Sequence, residues 1–314
     1  MKLSTSTGDF VGYVDSVADA VRTIGKTKFR YVNLEQTTRL PQYYEESEDG
    51  WKRLAEDWGN AAAEAGVSYV QSHSPIVNAF ADDSTEAYER ALRAARRSID
   101  VCKTLGIDRM VVHASFRPDF TKEQFYAENV RFYRDLLART ENAGVLILTE
   151  NVDDSCGELP VATGEELQSL AEQVDHPLFG VCWDTAHGNL NSRARALGQY
   201  HNLTALGDSL LALHISDNFG DGAHHHSWPF AGIINFDEVM QGLADVRYPG
   251  VFNYEASYTL LNHLNMPYHR KAWQYRGETV TKLLDPPVEL KIEAVDLLYD
   301  IGKYILETYR CFEE

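Results

Sequence analysis

Residues 145–151 read VLILTEN. Val-Leu-Ile-Leu-Thr is an apolar, β-forming run of strand length, and it delivers the carboxylate of Glu150 at its end. An unpaired carboxylate emerging from a buried strand is costly, so a cation is its natural partner. Working outward from this stretch, the same construction recurs. VSYVQSH (67–73) ends in His73, and RMVVHA (109–114) carries His113. FGVCWDTAH (179–187) carries Asp184 and then His187, LLALHISDN (210–218) carries His214, and VFNYEAS (251–257) carries Glu255. These points are separated by roughly 30 to 40 residues of helical pattern, the repeat of a parallel barrel whose catalytic groups gather at the C-terminal strand ends.

Two further β-type runs, near residues 1–5 and at 29–35 (FRYVNLE), bring the count to eight. Between the strands, 84–105 is rich in helix-forming Ala, Arg and Glu. Thr121 with Gln124 and Thr163 with Glu166 are capping-box pairs. Tyr126, Val130, Tyr133 and Leu137 share one helical face. Gly25, Gly66, Gly106 and Gly144 stand where helices should stop before the next strand. Strand–helix alternation implies parallel pairing through right-handed crossovers. An open doubly wound sheet would put a Gly-rich turn after the first strand, and STSTGDF is not one. The fold class expected is α/β, a (β/α)8 TIM barrel over residues 1–257. Residues 258–314 are expected to form a helical extension, with helices at 270–284 and 288–310, packed on the barrel or on a partner subunit.

Composition limits the function. The 314 residues carry 47 acidic and 29 basic side chains, a net charge of −18. Phosphate backbones need a cationic face, so nucleic acid is not the expected partner. None of the four cysteines forms a CxxC pair, which fits a reducing compartment. The start, MKLSTSTGDF, has no apolar signal core, and no apolar stretch approaches the ~18 residues needed to span a bilayer. The expectation is a cytoplasmic protein with no membrane partner.

Two Glu, one Asp and one His from different strands make a set of hard oxygen donors plus one imidazole. That mixture suits one divalent metal, Mn²⁺ first, with Mg²⁺, Co²⁺ and Zn²⁺ also compatible. His73, His113 and His187 are read as ligands or substrate contacts. In the Gly-rich loop FGDGAHHHSWPFAG (219–232), His226 is the member of the His224–His226 run expected to face inward, closing over the mouth. Trp183 and Trp228 are expected to supply apolar walls for the substrate.

The pattern resembles the xylose isomerase-like TIM barrel superfamily, in its sugar phosphate isomerase/epimerase branch. The matching motifs are LTEN around Glu150, WDTAH (183–187), HISDN (214–218), HxxPxxGxINF from His226 to Phe236, and YEAS (254–257). The resemblance covers residues 1–256. It implies that Glu150, Asp184, His214 and Glu255 bind one divalent metal and that Glu150 and Glu255 act as the catalytic acid/base pair. His187 would then touch a small carbohydrate substrate. The implied reaction is isomerisation or epimerisation of a polyhydroxylated carbonyl compound, by proton abstraction through a metal-stabilised enediolate. The alternative is elimination, as in inosose dehydratases or the large subunit of C-glycoside deglycosidases acting on 3-keto-glycosides. Members of such families form homo-oligomers, and the deglycosidases add a small second subunit. Two departures oppose a free-ketose 3-epimerase: Cys156 stands where those enzymes carry a second Glu, and Gly220 where they carry an Arg. AP endonucleases share the barrel and use additional histidines, matched here by His73, His113, His187 and His226. His224 replaces their Asp, and the acidic balance is wrong for DNA.

Overall fold

The computed structural model describes every residue except 37–46, 83, 224, 261–272, 282 and 284. His224 therefore lies outside the described residues. Eight parallel strands follow one another in order: β1 Leu3–Ser6, β2 Tyr31–Glu35, β3 Ser68–His73, β4 Arg109–Val111, β5 Leu146–Glu150, β6 Phe179–Asp184, β7 Leu210–His214 and β8 Phe252–Asn253. The sheet runs β7-β6-β5-β4-β3-β2-β1-β8. It closes where Ile215 bridges Tyr254: Ile215 N donates to Asn253 O at 2.8 Å, and Glu255 N donates to Ile215 O at 3.1 Å. This is the expected (β/α)8 barrel.

Helices α1 (Val17–Ile24), α2 (Glu48–Ala65), α3 (Thr85–Leu105), α4 (Lys122–Thr140) and α5 (Gly164–Val174) fill the early crossovers. Both capping boxes form, Thr121 with Gln124 and Thr163 with Glu166. Gly66, Gly106 and Gly144 end their turns in the left-handed region, where a missing Cβ removes the penalty. Gly25 is different. Its φ is −59°, and it is required by crowding instead, since a Cβ there would meet Ala65 O at 2.7 Å. After β6 come α6 (Thr185–Leu190), α7 (Ser192–Leu197) and α8 (Gln199–Leu206), then α9 (Phe236–Asp245) after β7.

Of the helix expected at 270–284, residues 270–272, 282 and 284 lie outside the described residues, and 273–280 form strands instead. Trp273–Tyr275 (β9) and Glu278–Val280 (β10) pair as an antiparallel hairpin. Arg276 and Gly277 both have positive φ, 50° and 82°, the two-residue turn whose twist matches flanking strands. Aromatic and β-branched residues on either side of that turn outweigh the local helix formers. The helix expected at 288–310 is present as α10 (Val288–Thr308). It buries Val295 and Leu298 and packs on the seam between the first and last strands. Phe29 meets Tyr299 edge-on at 5.1 Å, and Gly302 leaves room for Leu3 and Tyr254. Among the described residues no helix is long and apolar enough to cross a membrane.

One buried cation on α10 ties the fold to the barrel mouth. Lys291 is fully buried, and its ammonium donates to the carbonyls of Thr259 and, at 3.4 Å, Ser257, just beyond Glu255. Burial pulls its pKa down to about 8, against the opposing pull of Asp9. Removing one partner of a buried charge arrangement leaves the rest uncompensated, so Lys291→Met should cost roughly 3 kcal/mol in urea unfolding. A midpoint equal to wild type would mean that this ammonium is not what holds the segment.

Inside the barrel, residues of one parity point to the axis. The upper inward layer is Glu35, His73, His113, Glu150, Asp184, His214 and Glu255. The layer one pleat below is divided. Val111, Leu148, Cys182 and Ala212 form a small apolar cluster, whereas Ser4, Asn33, Gln71 and Asn253 make the opposite half polar, each fully buried.

Candidate active site

The upper layer converges because each strand ends at the same level. Glu35, His73, Glu150, Asp184 and His214 are the last residues of their strands, and His113 and Glu255 follow theirs by two residues. Ligand atoms of Glu150, Asp184, His214 and Glu255 lie within 4.8 Å of one another. His214 Nδ1 is 2.9 Å from Glu150 Oε1 and 2.8 Å from Glu255 Oε2, so two carboxylates press on one nitrogen. Glu150 Oε2, Asp184 Oδ2 and His214 Nε2 are buried with no well-formed hydrogen bond. Three carboxylates this close, Glu150 and Asp184 fully buried and Glu255 at the cavity floor, repel unless a cation stands among them. The donor set therefore fits a divalent metal.

Two more donor groups share members with the first. His73, His113 and Glu150 form one; His113 Nε2 is 3.1 Å and His73 Nε2 3.4 Å from Glu150 Oε2. Asp184, His187 and His226 form the other. The Cys182 thiol reaches within 4.8 Å of Glu150 and His214 from the layer below. Asp184 divides its oxygens. Oδ1 accepts from His187 N at 2.7 Å and caps α6, while Oδ2 is left to the donor cluster.

Backbone carbonyls set the imidazole tautomers. A carbonyl only accepts, so the ring nitrogen facing it carries the proton. His73 Nδ1 donates to Ser74 O at 2.7 Å, His187 Nδ1 to Asn151 O at 3.0 Å, and His226 Nδ1 to Glu255 O at 3.1 Å. In each neutral ring Nε2 then holds the lone pair, as ligating imidazoles require. Burial raises the Glu150 carboxyl, but the imidazoles of His214 and His113 outweigh it and hold it well below the usual range. Burial lowers the His73 and His187 imidazoles. Neighbouring carboxylates reverse this, Glu35 and Glu150 lifting His73 to about 9 and Asp184 and Glu150 lifting His187 to about 10.

A cavity of about 270 Å³ opens above the cluster. His73, His113, His187, Glu150 and Glu255 line it, and the loops after β3, β4 and β5 add Ile76, Val77, Phe116, Val152 and Leu159. His226 is buried behind Glu255. The two tryptophans are not walls of this cavity. Trp183 follows the opposite parity to Asp184 and is fully buried toward the helices, where its Nε1 donates to Gln199 Oε1 at 2.9 Å. Trp228 packs on the hydrophobic core.

Two further acidic residues belong to the site, neither of them among the residues the sequence pointed to. Glu35 pairs in register with His73, lies 3.7 Å from its Nδ1 and lines the cavity. Its signal was the same strand-end position in FRYVNLE. Asp217, within HISDN, is a loop anchor. Its oxygens accept from the backbone N–H of Asn218, Phe230, Gly232 and Ile234 at 2.8–3.1 Å. Gly232 has to be glycine, because a Cβ there would overlap Asn218 O. Asp217→Ala should release the loop that carries His226, costing about 2 kcal/mol or more in stability and raising KM. A thermal midpoint and KM both matching wild type would sink that role.

A model of the xylose isomerase-like TIM barrel family matches residues 18–273. "Probable endonuclease 4" of Sulfurihydrogenibium sp. is 27% identical over 115 residues, 37% of this chain and 41% of that protein. The chain spans about half the length of the curated relatives it matches. D-psicose 3-epimerase from Clostridium cellulolyticum H10, crystallised with D-tagatose, superposes with a TM-score of 0.72 at 16% identity, covering 98% of this chain and 99% of that one. The IOLI protein with a bound zinc atom gives 0.72 at 17% identity, covering both chains completely.

Proposed function

The chain belongs to the xylose isomerase-like TIM barrel family, and from that membership and its donor cluster we propose a divalent-metal-dependent isomerase or epimerase acting on a polyhydroxylated carbonyl compound. The convergence of Glu150, Asp184, His214 and Glu255 carries this reading. The structural likeness to a sugar epimerase and to a zinc-binding relative supports it. The four residues would hold the dication, whose Lewis acidity, when it is bound, makes a C–H beside the substrate carbonyl more acidic. Glu150 and Glu255 both face the cavity, so one carboxylate can take that proton while the other returns one. Return on the opposite face inverts the centre. Where a leaving group lies beta to the carbonyl, the same abstraction leads to elimination instead. His187, with Nδ1 fixed on Asn151 O, presents Nε2 to a substrate hydroxyl.

Gly220 supports a substrate other than a free ketose handled by arginine. Its φ is +64°, and a side chain there would meet Arg195 Nη1 at 2.9 Å.

The test is incorporation of solvent deuterium into a panel of ketoses, keto-inositols and 3-keto-glycosides with Mn²⁺ or Zn²⁺ present. Exchange at the carbon beside the carbonyl is expected, even without net product. No exchange on any member would overturn the assignment.

A second reading rests on the two outlying donor groups, His73–His113–Glu150 and Asp184–His187–His226. Several dications held together suit hydrolysis of a phosphodiester, and the similarity to a probable endonuclease 4 points the same way. The charge of −18 opposes it. Elemental analysis separates the two: one metal per chain favours the isomerase, and two or three favour the hydrolase.

A further inference from the structure

The cavity above the donor cluster does not end at its polar floor. Ile76 is 66% exposed within its wall, and Val77, Phe116, Val152 and Leu159 continue that wall. Phe116 and Leu159 also line a second cavity of about 440 Å³ on the same face of the barrel, between the loops after β4 and β5. The rest of that chamber is mixed: the rings of Pro118, Phe120, Phe125 and Pro160 share its walls with charged side chains of both signs. Phe116 and Leu159 thus form a sill shared by two chambers, one floored by carboxylates and imidazoles, the other walled by aromatic and proline rings set among paired charges.

A free monosaccharide is satisfied by the first chamber and has no use for the second. Three cations line the second chamber, and the acidic Glu158 and Glu166 stand among them: Arg117 pairs with Asp119 at 2.6 Å, Arg193 pairs with Glu166, and the Lys122 ammonium lies over the Tyr126 ring, 5.9 Å from its centre. A phosphate or carboxylate would have to compete for them, whereas a neutral aromatic ring finds faces and edges to pack against. The loop holding Phe116 is stiffened for such a role. Asn78 Nδ2 donates to Phe116 O at 2.7 Å, and Phe116 N donates to Asn78 Oδ1 at 3.1 Å.

We propose that the substrate is amphipathic: an uncharged polyhydroxylated carbonyl ring over the donor cluster, joined to an aromatic substituent that crosses the Phe116–Leu159 sill into the second chamber. This rests on the isomerase reading for the floor of the site. The sill and its second chamber are a separate observation.

The test is equilibrium binding of phenyl and methyl pairs of β-D-glucopyranoside and β-D-xylopyranoside to the Mn²⁺-loaded protein, measured by calorimetry. The phenyl member should bind about tenfold tighter or more in at least one pair, from the apolar area it removes from water. Leu159→Gln and Phe116→Ala should each bring that ratio to within about twofold. Leu159 and Phe116 are both part-exposed, so the fold tolerates either change, and circular dichroism checks this. Equal affinity within both pairs, no binding of any member, or a preference untouched by both variants would each overturn the proposal. Deuterium exchange run in parallel keeps the two ideas apart. Phenyl preference without exchange on any ketone sinks the isomerase reading alone, and exchange without phenyl preference sinks the aromatic subsite alone.

Discussion

Glu150→Gln should lower kcat by about a thousandfold or more and weaken metal binding by at least about a hundredfold, with the fold intact. The reason is the density of imidazole around this one carboxylate. Oε1 lies 2.9 Å from His214 Nδ1 and 3.4 Å from His187 Nδ1, and Oε2 lies 3.1 Å from His113 Nε2 and 3.4 Å from His73 Nε2. Glutamine keeps the volume, but it loses the charge and replaces one carboxylate oxygen with an amide nitrogen that has no lone pair to offer a cation. It can neither accept a substrate proton nor balance a dication. The measurements are steady-state turnover, elemental analysis after gel filtration, and far-ultraviolet circular dichroism. A variant with full metal occupancy and unchanged kcat would remove Glu150 from the chemistry.

Chelation should have the next largest effect. Stripping the protein with a strong chelator should abolish turnover and lower the thermal midpoint, and readdition should restore both. At a free metal concentration a hundred times Kd, binding to the native state alone adds about 2.7 kcal/mol of stability. The apo site also keeps the buried Glu150 and Asp184 beside Glu255, which faces the cavity, with only imidazoles among the donors to offset them. Identical melting curves with and without Mn²⁺ and Zn²⁺ would show that the cluster is held together by its histidines instead. Comparing the two ions in the same experiment also identifies the preferred metal. Cys182, reaching Glu150 and His214 from below, gives a softer ion a donor that Mn²⁺ has little use for.

The barrel was legible because its signals are local. A β-branched run ending in a ligating side chain, followed by a capped helix and a terminating glycine, can be read without knowing what lies across the sheet. The upper layer was legible for the same reason, apart from Glu35, which has the same strand-end position as His73 but follows a more polar run. Trp183 was misassigned although the pleat forbids it: with Asp184 facing the axis, its neighbour has to face the helices. The hairpin at 273–280 was read as helix because its residues suit either state, and the decisive turn consists of two residues with positive φ. Asp217 looked like part of a chemical motif. Its four backbone donors come from as far as Ile234, and such long-range convergence has no period to detect. The Phe116–Leu159 sill was invisible for a similar reason, since its two members meet only through loops after different strands.

Glu150 belongs to more than one donor group, and so does Asp184. Ions bound at such a rim would therefore not be independent guests. Losing one imidazole vacates an outer seat without dismantling the central one, and gaining one completes a seat already half built. Exchanging single histidines would then change how many ions the rim can seat, while its scaffold and central carboxylates stay as they were.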